Sequence, residues 1–133
     1  NVSLPLMFKG VPKKERTKRA VELLKAVGLS KHLRHKPTQM SGGQQQRVGI
    51  ARAFVTNPEI VFADEPTGNL DSKTSMEVLE LMAGLAMKNR QTLIMVTHDL
   101  NIAKRADRII YILDGRIEGI EENQYAGVTY EQN

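Results

Sequence analysis

The chain contains no cysteine and no tryptophan. Without cysteine there is no disulfide framework, no thiolate zinc site and no cysteine nucleophile. Aromatic residues are only 5% of the sequence, too few for a platform that stacks nucleic-acid bases. No apolar run approaches the roughly 20 residues that span a bilayer, and no signal-peptide pattern opens the chain. What is present is ordinary for a globular protein: 133 residues, 41% apolar and 26% charged. That length suits one domain or part of one. The first residue is Asn1 rather than Met, and the motifs below lead to the expectation that the chain is a piece of something longer.

The net charge of +4 is unevenly distributed. Residues 1–40 carry ten Lys and Arg against Glu15 and Glu22, a balance of +8, and the remainder carries −4. A basic segment can serve nucleic acid or an anionic membrane surface. Here the charges are not interleaved with aromatics, so a solvated helix face is the simpler reading.

Apolar periodicity organises the chain. Residues 1–8 are short and apolar with Pro5 inside, which reads as an edge strand or extended segment. Pro12 and Gly28 bracket a helix whose stripe is Ala20, Val21, Leu24 and Val27. Residues 30–39 read as a short helix or loop. Ser41 opens another helix toward Asn57, with Val48, Ile50, Ala51, Phe54 and Val55 as its apolar set, before Pro58. Residues 60–63 form a continuous apolar run, expected to be a strand buried on both faces. A long helix is expected over about 72–88, with Met76, Leu79, Met82 and Ala86 inward. Residues 92–96 read as a second buried strand, 101–105 as a brief helix, and 108–113 as a third strand. Asp114-Gly115 is a hairpin signal before a return strand over 116–120. Residues 121–133 lack periodicity and read as a loose tail.

Alternating strands and helices argue for an α/β layer with a parallel sheet. Polar groups gather at the carboxyl ends of such strands. The carboxylates Asp64 and Glu65 follow one strand directly, and His98 and Asp99 follow another. Adjacent strand residues point to opposite faces, so one of the two carboxylates could face a metal and the other a substrate. A carboxylate can hold Mg²⁺ through its water shell, and a second can orient or deprotonate water. Asp64 could equally cap the following turn. Ser41 with Gln44 forms a capping-box pattern, which leaves the adjacent Gly42 and Gly43 unexplained. Glycines at a helix start suit a backbone that must come close to a phosphate. Asp71, after Gly68, Asn69 and Leu70, is also a helix N-cap candidate. Taken alone, a histidine such as His98 is more often structural than catalytic, and His32 and His35 receive no role.

Together, Ser41-Gly42-Gly43-Gln44, the strand ending in Asp64-Glu65, the run Gly68-Asn69-Leu70-Asp71 and His98 resemble, in order and spacing, the second half of an ATP-binding-cassette nucleotide-binding domain. Residues 41–44 resemble the family signature, with Met40 where Leu is usual. Asp64 resembles the Walker B aspartate, Glu65 the catalytic glutamate, residues 68–71 the D-loop and His98 the switch histidine. Asp114-Gly115 resembles the family's late hairpin. The runs 44–48 and 65–71 are similar to the lipoprotein-release, macrolide-efflux, antimicrobial-peptide-export and cell-division group. Residues 1–6 resemble the stretch after that group's Q-loop. No glycine is followed by lysine, so the P-loop is absent from these residues.

The resemblance implies a P-loop NTPase-like α/β fold, a parallel sheet with helices plus a helical signature subdomain, with the N-terminal half of the domain missing. It divides the chain into a signature subdomain over 1–57, core over 58–120 and a flexible tail over 121–133. It implies ATP and Mg²⁺, with Asp64 at the metal, Glu65 and His98 catalytic, and Ser41, Gly42, Gly43, Gln44 and Asp71 binding nucleotide. Implied partners are a second such domain, as a homodimer, and a membrane permease, but no nucleic acid. The place is the cytoplasmic face of the membrane, peripherally. The intact protein would hydrolyse ATP and these residues alone would not. A nucleic-acid or ribosome ATPase and a non-hydrolysing interaction module are the competing classes. Long insertions typical of the former are missing, and Glu65 argues against the latter.

Overall fold

The structure, a computed structural model, describes residues 1–123. They form two compact units, one covering Asn1–Met95 and a second beginning at Val96.

The first unit opens with helix α1 (Leu4–Phe8), where an edge strand or extended segment was expected. Pro5 sits in its first turn, where a missing N–H costs nothing because no intrahelical acceptor exists there. Helix α2 (Lys13–Ala26) follows Pro12 and ends as the sequence indicates. Gly28 takes φ +80°, the Gly28 amide donates to Lys25 O, and the Leu29 amide donates to Leu24 O at 2.8 Å. This pair of reversed bonds closes the helix and turns Leu29 into the core. Two single turns of 3-10 helix, Ser30–His32 and Pro37–Gln39, lead to helix α3 (Gly42–Phe54). It stops short of Asn57, which takes φ +50° before Pro58.

Strand β1 (Ile60–Asp64), helix α4 (Ser72–Lys88) and strand β2 (Thr92–Val96) follow as the sequence indicates. β1 and β2 pair in one sheet. The first residue of β2, Thr92, donates its amide to Glu59 O at 2.9 Å, just before β1 begins. Both strands therefore start at the same end and run parallel, joined by α4 as the crossover. The expectation that these strands are buried on both faces is corrected. Val61 is 4% exposed, but Ile60 and Phe62 are 48% and 73% exposed. In β2, Leu93 packs against the core while Ile94 is exposed. One face of the sheet lies on the helices and the other is open among the described residues.

The core of this unit joins Leu6 of α1, Ala20 of α2, Ile50, Ala51 and Phe54 of α3, Val61 of β1, and Val78, Met82, Leu85 and Ala86 of α4. Arg47 ties three of these elements together. Its guanidinium donates to Val27 O at 3.2 Å and to Glu77 Oε2 at 3.0 Å.

The second unit contains helix α5 (Leu100–Ala103) and the antiparallel hairpin β3 (Arg108–Leu113) and β4 (Arg116–Glu122). Asp114 and Gly115 both take positive φ, 48° and 74°, the two-residue turn that matches strand twist. β4 runs past Ile120 to pair Glu122 with Arg108, so the first two residues of the expected tail belong to the sheet. Residues 124–133 of that tail lie outside the described residues.

Candidate functional site

Ser41 keeps an extended backbone just before α3, and its Oγ accepts the Gln44 backbone amide at 3.2 Å. Gln44 Oε1 accepts the Ser41 amide at 3.0 Å in return. The capping box is thus formed. Gln44 Nε2 lies 3.2 Å from His32 Nε2, a contact the sequence did not disclose. Gln45 anchors the approach by donating to Pro37 O and Met40 O. The start of α3 is therefore held by side chains on both sides.

Gly42 and Gly43 face the start of α4. A Cβ on Gly42 would meet Leu70 Cδ2 at 3.9 Å, an ordinary contact. A Cβ on Gly43 would meet Thr74 Cγ2 at 2.9 Å, closer than packed carbon atoms come. The second glycine therefore has a reason inside this chain.

Asp71 caps α4. Its Oδ1 accepts the Thr74 amide at 3.0 Å and its Oδ2 accepts the Thr74 hydroxyl at 2.6 Å. These two bonds hold its carboxyl below the ordinary carboxylate value. The fold thus brings Gly42, Gly43, Leu70, Asp71 and Thr74 into one cluster. Residues 41–44 and 68–71, far apart in sequence, meet at the starts of two packed helices.

Asp64 ends β1 and is exposed on the same face as Ile60 and Phe62. Glu65 is half-buried and takes φ +42°, a conformation that a non-glycine residue adopts at a cost. That turn lets Glu65 O accept the Gly68 amide at 3.1 Å and buries Pro66 and Thr67 beneath the loop. The two carboxylates therefore occupy different environments. His98 follows β2 in the second unit, in an exposed turn where Thr97 Oγ1 accepts the Asp99 amide and Asp99 caps α5. No cluster of three His, Asp or Glu that could by itself hold a metal occurs among the described residues.

Residues 3–68 match the family described as ABC transporter. An uncharacterized ABC transporter ATP-binding protein of Thermotoga maritima is 54% identical over 130 residues, 98% of this chain and 54% of that protein. The macrolide export ATP-binding/permease protein MacB of Bartonella henselae is 51% identical over 117 residues, 88% of this chain and 18% of that protein. Among solved structures, a dimeric, post-hydrolysis state of the ATP-binding cassette MJ0796 bound to ADP and Pi superposes with a TM-score of 0.78. It is 47% identical and covers 92% of this chain, which covers 55% of it. The MJ0796 protein is from Methanocaldococcus jannaschii. The chain spans about half the length of the ATP-binding proteins it matches. The motif order, the strand–helix–strand arrangement that carries it and these similarities agree, and the chain belongs to the ABC transporter ATP-binding family.

Proposed function

We propose that this chain is part of the ATP-binding subunit of an ABC transporter, which couples ATP binding and hydrolysis to substrate movement by a membrane permease. The observation that carries the reading is the approach of Gly42 to Leu70 and of Gly43 to Thr74, the residue that bonds Asp71, at the starts of α3 and α4. It presents a helix start, with its free N–H groups and positive dipole end, beside an ionised carboxylate. Ser41 and the Gly43 amide would reach the γ-phosphate of ATP held by a second, identical subunit, with Gln44 fixing the turn. Asp71 would couple the two sites across that interface. Glu65 would polarise the attacking water, and His98 would contact the γ-phosphate and transition-state charge. The chemistry is phosphoryl transfer by positioning and electrostatics.

Asp64 is the residue that would hold Mg²⁺. A single exposed carboxylate, with no wider acidic cluster among the described residues, suits a cation bound largely by water and phosphate. When bound, the cation would neutralise phosphate charge. Residues 1–57 would form the signature subdomain that meets the permease, and 58–120 would belong to the ATPase core. The dimeric cassettes of known structure and the ATP-binding/permease relative support a dimer and a membrane partner. The proposed place is the cytoplasmic face of the membrane, held peripherally. No described helix is long and apolar enough to cross a membrane.

Glu65→Gln in the full-length protein tests the reading. The amide keeps the size and hydrogen bonding of the side chain but cannot accept a proton from water. The variant is expected to bind ATP, dimerise and cease turnover, with a stable dimer on size-exclusion chromatography. A monomer with normal phosphate release would remove Glu65 from the mechanism.

A further inference from the structure

Thr74 touches two motif elements with two arms of one Cβ atom. Its hydroxyl donates to Asp71 Oδ2 at 2.6 Å. Its methyl occupies the space that a Cβ on Gly43 would need, at 2.9 Å. A β-branched side chain has few χ1 options in a helix, and both arms turn together. Any rotation that clears the methyl from α3 carries the hydroxyl away from Asp71. Conversely, the bond to Asp71 aims the methyl at Gly43. Thr74 is half-buried beside the exposed Asp71, and each of its two contacts limits the freedom of the other.

We propose that Thr74 is a positioning residue that ties the Asp71 carboxylate to the start of α3 at Gly43, so that the two elements hold their places jointly. It deepens the function proposed above and rests on that reading of residues 41–44 and 71. On this account Gly43 is glycine partly to seat the Thr74 methyl. Serine at position 74 would keep the bond to Asp71 and give up the methyl. Valine would keep the methyl and give up the bond.

The test uses the full-length protein in the Glu65→Gln background and two readouts. One is the titration of the Asp71 carboxyl by carbon NMR without nucleotide. The other is ATP-driven association by analytical ultracentrifugation. Gly43→Ala is expected to raise the Asp71 titration and weaken association about tenfold, the size usual for contacting residues. Adding Thr74→Ser should return the titration to its lowered position and recover most of the association. Thr74→Val, with Gly43 intact, should raise the titration by itself. Should Gly43→Ala fail to fold, the Thr74→Val and Thr74→Ser pair carries the decision through the titration. An Asp71 titration unmoved in Thr74→Val overturns the proposal. So does a double variant that is as weak as Gly43→Ala with the titration unrestored. If the parent protein does not associate with ATP, the functional reading falls, while the titration still decides the role of Thr74.

Discussion

Single residues show where sequence patterning carries and where it stops. The capping roles of Ser41, Gln44 and Asp71 were legible because each depends on atoms three residues away. The Gly43–Thr74 approach and the His32–Gln44 contact were not, since both join separate elements that only packing brings together. Residue identity alone explains why two glycines are tolerated there, but not which neighbour needs the room. Asp71 yields a pH prediction at this scale. Its folded carboxyl titrates below its ordinary value because Thr74 bonds the charged form. The stabilisation is thus complete above the unfolded value and is lost as pH falls through the folded one. Thermal unfolding followed from about pH 5 to about pH 2 should show an acid limb steeper for the parent than for Asp71→Asn. Equal slopes would mean that Asp71 is not held in its charged form by Thr74.

At the scale of elements, strand and helix types followed periodicity except at α1. Five residues are too few for a period to show, and Pro5 reads the same way in an edge strand and in a first helical turn. The stripe of α4 was legible in Leu79, Met82 and Ala86, but the fully buried Val78 was missed. A helix clasped by both a sheet and another helix buries a wider face than one stripe describes. The end of α4 repeats the closure of α2 with a different residue. Gln91 donates to Ala86 O at 2.8 Å and Arg90 to Met87 O, yet Arg90 holds φ +54° where α2 has Gly28. A non-glycine residue in that region costs about 1 kcal/mol, and a glycine's greater unfolded-state entropy offsets part of any gain. Arg90→Gly is therefore expected to stabilise the fold by about 0.5 kcal/mol, seen as a rise of a few degrees in thermal unfolding. A fall instead would show that the Arg90 side chain supports its surroundings.

The whole molecule sets the terms on which those elements are stable. Buried strands were expected from the apolar runs 60–63 and 92–96, and apolarity alone was a sound guide to a sheet with helices over both faces. Among the described residues the helices cover only one. Ile60, Phe62 and Ile94 present an open apolar surface on the other face of β1 and β2. Such surface is normally covered within a domain or against a partner. These 133 residues also lack any Gly-Lys pair to cradle the β- and γ-phosphates. Two consequences follow, one from the open sheet face and one from the lack of a phosphate cradle in these residues. Produced as these 133 residues alone, the chain is expected to self-associate through the open sheet face and to release no phosphate from Mg-ATP. Light scattering against concentration and a phosphate-release assay read the two effects separately. Phe62→Lys, on the open face of β1, should reduce the association without restoring turnover, because a charge there replaces an apolar contact and supplies no phosphate cradle. A monodisperse chain with a sharp, cooperative unfolding transition would show that the open face is not what limits it. Turnover that disappears on Glu65→Gln would show that the described residues hold a complete site.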